Sequence, residues 1–251
     1  MTEFSANLGF LWTDLSLPDA IRAAQKAGFS AVEMHWPYDT PAADIRAALE
    51  ETGLPLLGIN TVRGDTGENG LCALPGREAQ ARAAIDQAVA YARVTGARAV
   101  HAMAGFSNGA AAHDVFVENL QYACDAAPEL TILIEPLNHH DAPGYFLQGS
   151  DQAAQIIKAV SRENLKLMFD CYHLQIMEGD LTRQLDKHRK IIGHIQFASV
   201  PARAEPDEGE VNYSHIFDHL ARSGYGAPLG AEYKPRASTE VGLGWMRTLS
   251  R

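Results

Sequence analysis

The chain has 251 residues, 46% of them hydrophobic, which suffices for a substantial core and suits one parallel barrel as well as two small domains. A formal charge of -10 argues against nucleic acid as a partner, because phosphate recognition needs a cationic face. Cys72, Cys124 and Cys171 are too few and too scattered for a disulfide framework or a zinc knuckle, and neither a basic-then-apolar leader nor a membrane-length apolar run is seen, so a soluble cytoplasmic protein without a membrane partner is expected.

From the N-terminus, short apolar runs alternate with amphipathic stretches. A strand over 5–11 precedes a helix over 17–27 that stops at Gly28, and a strand over 31–35 precedes a helix over 41–52 that stops at Gly53. A strand over 55–60 leads through a Gly- and Asp-rich loop, 61–76, to a helix over 77–95 before Gly96. Then come a strand over 97–103, a helix over 113–126, a strand over 130–135, a loop over 138–149, and a helix over 150–160 with Ser150 as its expected N-cap. A strand over 165–170, a helix over 181–188, a strand over 191–198, a loop over 199–212, a helix over 213–222 and a strand over 228–232 complete the pattern. Strict alternation implies parallel pairing, and eight repeats in this length imply closure into a single (β/α)8 TIM barrel of the α/β class, spanning 1–251 as one domain. The three long loops all follow strands, on the face where such barrels carry catalytic residues, and at least one is expected to serve as a mobile lid.

The last four strands share a design. LTILIEP stops on Glu135, LKLMFD stops on Asp170, IIGHIQFA carries Gln196 near its end, and PLGAEYKP carries Glu232 at its end. Buried unpaired carboxylates are costly, so packing does not account for four such positions. Strands five to eight are neighbours in a closed barrel, which brings the four side chains to one face. Four oxygen donors, with water or substrate completing six, suit a hard divalent cation such as Mg²⁺ or Mn²⁺ rather than a structural zinc.

These residues sit in longer runs: RGDTGENGLCALPGRE from Arg63, IEPLN from Ile134, FDCYH from Phe169, GHIQFASVPAR from Gly193, EPDEGEVNY from Glu205, then EYKP and GLGW from Glu232 onward. Together they resemble the hydroxypyruvate isomerase family within the xylose isomerase-like barrel group, over nearly the whole chain. The resemblance implies a divalent metal held by Glu135, Asp170, Gln196 and Glu232, catalytic roles for Glu135 and Glu232, a small hydroxy-oxo acid as substrate, and association into a homo-oligomer. The chemistry suits those residues. Aldose-ketose isomerisation takes a proton from one carbon and returns it to the next, which two carboxylates flanking a Lewis acid are able to do. Which glutamate is base and which is acid stays open, since burial raises a carboxyl pKa and a cation lowers it.

Around this centre, His173 is the candidate donor to a substrate oxygen, and Arg203 and Lys234 are the candidates for gripping a carboxylate. His101, Asn60 and Arg63 complete the candidate substrate contacts, with His35 and Trp36 as an apolar wall and His139 and His140 as loop surface. The run EYKPR with TEVGLGW also resembles 2-oxo-tetronate isomerase, which keeps that activity beside hydroxypyruvate isomerisation. A ketose 3-epimerase is a third reading, against which Gln196 counts. An endonuclease-type phosphodiesterase needs more histidine ligands and a basic surface, and a non-catalytic sugar-acid binder is the remaining rival.

Overall fold

In the computed structural model, residues 2–249 are described and form a ring of parallel strands wrapped by helices. In chain order the elements are β1 (Phe4–Asn7), α1 (Leu17–Ala27), β2 (Ala31–Glu33), α2 (Ala42–Thr52), β3 (Ile59–Asn60), α3 (Glu78–Thr95), β4 (Ala99–His101), α4 (Gly109–Ala126) and β5 (Thr131–Ile134). They continue with α5 (Ser150–Val160), β6 (Leu165–Asp170), α6 (Cys171–Met177), α7 (Leu181–His188), β7 (Ile192–Phe197), α8 (Tyr213–Arg222), β8 (Leu229–Ala231), α9 (Thr239–Gly242) and α10 (Gly244–Leu249). The strand order is β2-β1-β8-β7-β6-β5-β4-β3. Across the remaining seam, between β2 and β3, the Leu57 N–H reaches the Val32 carbonyl at 2.8 Å and the Met34 N–H reaches the Gly58 carbonyl at 3.1 Å. The eight expected strands are all present; β6 has the expected bounds, β3 is trimmed at its N-terminal side, and β1 stops at Asn7 where the chain turns into the mouth.

Helices form where apolar residues recur every three or four positions. On α3, Ala81, Ala84, Ile85, Ala88, Val89 and Ala92 make one buried stripe against the sheet. Gly28, Gly53 and Gly96 stop their helices in the left-handed region, at φ 92°, 73° and 78°, a backbone conformation that is strained for residues with a Cβ. Ser150 does not cap α5; it is the helix's first residue, and its N–H and Oγ–H both donate to the Glu178 carboxylate. The helix α6, not anticipated by periodicity, starts because the Asp170 side chain accepts the Tyr172 N–H at 2.8 Å, so the last residue of β6 is also an N-cap.

Most of the core lies between sheet and helices. An aromatic group of Phe4, Phe29, Phe197, Phe217, Tyr213 and Trp245 packs with edge-to-face and tilted contacts where α8 and α10 meet the barrel. Ala99, Leu133 and Met168 form a separate apolar plug, which leaves other inward positions to polar side chains. All three long loops are tied down, 199–212 by the Lys234 N–H donating to the Arg203 carbonyl at 2.8 Å. The Cys72 and Ala73 N–H groups donate to the Met103 and Ala104 carbonyls, and the Phe146 N–H donates to Gly105. Among the described residues, no helix is long and apolar enough to cross a membrane.

Candidate active site

The mouth at the C-terminal ends of the strands holds the four predicted oxygen-bearing side chains. Glu135 follows β5, Asp170 ends β6, Gln196 lies in β7 and Glu232 follows β8, and all four are buried. Asp170 and Gln196 are register partners, so their side chains leave the sheet on the same side. Ligand-type atoms of Glu135, Asp170, Glu232 and His173 all lie within 4.8 Å of one another.

Glu135 Oε1, Asp170 Oδ2 and Gln196 Oε1 are buried with no hydrogen-bond partner. Three orphaned oxygens on consecutive strands are unfavourable by themselves and suit a hard cation. His173 also meets the distance test, yet its hydrogen bonds speak against ligation. Its Nδ1 accepts from the Asn138 backbone N–H at 3.0 Å and from the Asn138 amide at 2.7 Å. Burial and the Arg203 charge push its pKa down to about 3, so the ring is neutral and its one proton sits on Nε2. That N–H faces Asp170 Oδ2 at 3.6 Å and Glu135 Oε1 at 3.9 Å. Gln196 is therefore the better fourth oxygen donor, and His173 is a proton donor beside it.

The two glutamates are unequal. Glu232 Oε1 accepts from His35 Nε2 at 2.7 Å and from the Asn7 amide at 3.1 Å, and Oε2 accepts from Arg203 Nη2 at 2.7 Å. Burial alone would raise its pKa, but Arg203 and the His35 hydrogen bond hold it well below the usual carboxylate range. Glu135 has no such donors, and burial followed by the charges of Glu232 and Asp170 pushes it well up. Burial and Glu232 push Asp170 up to about 8.

Among the flanking candidates, His101 in β4 is buried, with Nδ1 at 3.6 Å from Glu135 Oε2 and no hydrogen bond at either nitrogen. Asn60 lines a small cavity below the mouth with Asn7, His101 and Gln196. Arg63 is exposed and stacks its guanidinium 3.8 Å over the Trp36 indole, and Lys234 is exposed with Nζ 6.0 Å from the Phe10 ring. Neither makes an ion pair among the described residues. Arg203 differs from both. It is half-buried between the Phe10 and Tyr172 rings, spends Nη2 on Glu232, and brings Nη1 to 3.3 Å from Asp141. The acidic run after it, Glu205, Asp207 and Glu208, is paired instead by Arg236. His139 and His140 are exposed, their rings in tilted contact with each other. Sequence reasoning passed over Asn7 and read His35 only as wall; His35 stood at the end of an expected strand, whereas Asn7 fell inside the run over 5–11 and closes β1 only in the structure.

A parallel eight-stranded barrel with buried carboxylates converging at the C-terminal mouth defines a class of barrel enzymes whose chemistry centres on that mouth. A model of the family described as Xylose isomerase-like TIM barrel matches residues 21–249. The 2-oxo-tetronate isomerase of Cupriavidus necator is 45% identical over 98% of this chain and 98% of its own length. The putative hydroxypyruvate isomerase of Homo sapiens is 45% identical over 98% of this chain and 94% of its own. A crystal structure from Brucella melitensis, described as an AP endonuclease of family 2, superposes with a TM-score of 0.95 at 41% identity, covering 99% of each chain. The chain belongs to the xylose isomerase-like TIM barrel family. It is an isomerase, the class to which its curated relatives belong.

Proposed function

We propose that this one-domain barrel is a cytoplasmic, divalent-metal-dependent isomerase that interconverts hydroxypyruvate and 2-hydroxy-3-oxopropanoate (tartronate semialdehyde) through an enediolate. The observation that carries the reading is the set of three orphaned buried oxygens, on Glu135, Asp170 and Gln196, of which the first two residues cluster within 4.8 Å with Glu232 and the third is the register partner of Asp170. Those four residues would hold Mg²⁺ or Mn²⁺, which supplies Lewis-acid stabilisation of the negative charge that develops on the substrate oxygens. Three carboxylates against a divalent cation leave one negative charge, which the half-buried Arg203 cancels, so an anionic substrate meets a neutral centre.

Glu135 and Glu232 face the reacting carbons and handle the proton. In the forward direction it leaves C3 of hydroxypyruvate and enters C2, while the O3 hydroxyl proton passes to O2, and nothing is oxidised overall. His173, fixed as an Nε2–H donor, and His101 supply hydrogen bonds to substrate oxygens, with Asn60 beside them. The unpaired cations Arg63 and Lys234 take the substrate carboxylate at the rim, the role also foreseen for Arg203, which here is held by the chain's own acids. The closest second reading is 2-oxo-tetronate isomerisation, which adds one CHOH group and is favoured equally by the identity of the bacterial relative. An endonuclease activity is disfavoured by the chain charge of -10 and by a centre that offers oxygen rather than several imidazoles.

Proton NMR of the metal-loaded protein in D₂O, with hydroxypyruvate and 2-oxo-tetronate offered separately, tests both readings. Conversion of one acid with deuterium entering at the carbon beside the carbonyl is expected, and chelation should abolish it. Turnover of neither acid sinks the proposal.

A further inference from the structure

One buried acid has no part in the chemistry above. Glu33, the last residue of β2, is 4% exposed, and its side chain reaches across β1 and β8 to β7. Its Oε2 accepts from the Gln196 amide Nε2 at 2.8 Å. Its Oε1 accepts from the Ser5 hydroxyl and lies 3.0 Å from His194 Nε2. The route is open because position 230 is glycine. A Cβ there would sit 2.5 Å from Glu33 Oε1 and 2.7 Å from Gln196 Cγ. Gly230 is the register partner of Ser5 on one side and of Gln196 on the other, so the missing side chain lies between the groups that need the space.

A glutamine amide is nearly symmetric in shape but not in chemistry. Turned one way it offers an oxygen to the centre, and turned the other way it offers an NH₂ that repels a cation. A carboxylate only accepts, so Glu33 tolerates only the NH₂ end of Gln196 against it. The other end of the same planar group is Oε1, which is left buried and without a partner beside its register neighbour Asp170. Ser5 pins the far oxygen of Glu33, so the carboxylate itself cannot swing away.

We propose that Glu33 is the positioning residue of the metal centre: it locks the Gln196 amide so that the carbonyl oxygen, not the nitrogen, is presented as a ligand. This rests on the metal-centre reading given above. Partners that orient metal ligands typically change affinity by about 10–100-fold when removed.

Binding of Mn²⁺, followed by the electron paramagnetic resonance of the free ion, separates positioning from packing without reference to turnover. Glu33→Gln is expected to bind Mn²⁺ about 10–100-fold more weakly than wild type, with the metal-free melting temperature little changed. The exchange variant Glu33→Gln with Gln196→Glu restores a carboxylate-amide pair and puts an oxygen at the centre in either orientation, so its affinity should return to within a few-fold of wild type. Should Glu33→Gln fail to fold, Gly230→Ala carries the test, because its methyl group crowds both Glu33 Oε1 and Gln196 Cγ and so breaks their pairing; it is expected to weaken Mn²⁺ binding likewise. Wild-type affinity in Glu33→Gln or Gly230→Ala, or an exchange variant as weak as the single one, overturns the positioning role. A wild-type protein that binds no Mn²⁺ overturns the metal centre and this role with it.

Discussion

Removing the positive charge of Arg203 should destabilise the metal-free protein strongly and the metal-loaded protein much less. The guanidinium lies 2.7 Å from Glu232 and 3.9 Å from Asp170, with its side chain only 14% exposed. At an effective dielectric of about 20, charges at the shorter distance attract by ~6 kcal/mol. Losing the desolvation cost of the arginine offsets part of that, and deleting one partner of a buried pair typically costs ~3–5 kcal/mol. Arg203→Met keeps an unbranched stem between Phe10 and Tyr172 and deletes the charge with its hydrogen bonds. For a chain of this size ~4 kcal/mol corresponds to a melting temperature lower by on the order of 10 °C. Saturating Mn²⁺ supplies positive charge at the same carboxylates, so the difference from wild type should shrink. The assay is thermal denaturation of both proteins in EDTA and in Mn²⁺. A drop under about 2 °C in EDTA, or an equal drop in both, would falsify the view that Arg203 stands in for cationic charge at this centre.

Stability of the metal-free protein should fall as pH rises from about 6.5 to about 8.5. Folded Asp170, pushed up to about 8, and Glu135, pushed up as well, keep protons that an unfolded chain releases near pH 4, so the folded state loses its advantage as pH climbs through the raised values. Below about 6.5 the gain is opposed, because His101 and His173, both pushed down to about 3 by burial, bind protons only when unfolded. Urea midpoints across this range check the sign, and a rise with pH in EDTA contradicts it. Arg63→Ala and Lys234→Ala should each raise KM for the acid substrate roughly tenfold with a smaller change in kcat, since a carboxylate contact at the rim persists from ground state to transition state; a pure kcat loss places them elsewhere. Trp245→Ala empties the space between Phe4, Phe197 and Tyr233, and should cost ~3–5 kcal/mol of stability, read as a lower denaturant midpoint.

What the amino-acid order determined by itself is the barrel and the ring of side chains at its mouth. Period-two and period-three-to-four patterns are local, and strict alternation leaves parallel pairing as the only regular solution, so Glu135, Asp170, Gln196 and Glu232 converge as soon as eight units close. The helix α6 escaped that reading because a side-chain cap on Tyr172 starts it, with no long apolar period to announce it. Only the tertiary structure decided which atoms are satisfied and which are left free. Asn7 and Glu232 stand 225 positions apart, and Glu33 and Gln196 163 apart, so no spacing rule connects them. Arg203 stands next to the acids at 205–208 in the chain and Arg236 some thirty residues away, yet it is Arg236 that pairs with them while Arg203 turns into the centre. Those choices follow from register and from the space left at Gly230, because a hydrogen bond depends on a few tenths of an ångström across strands that only closure brings together.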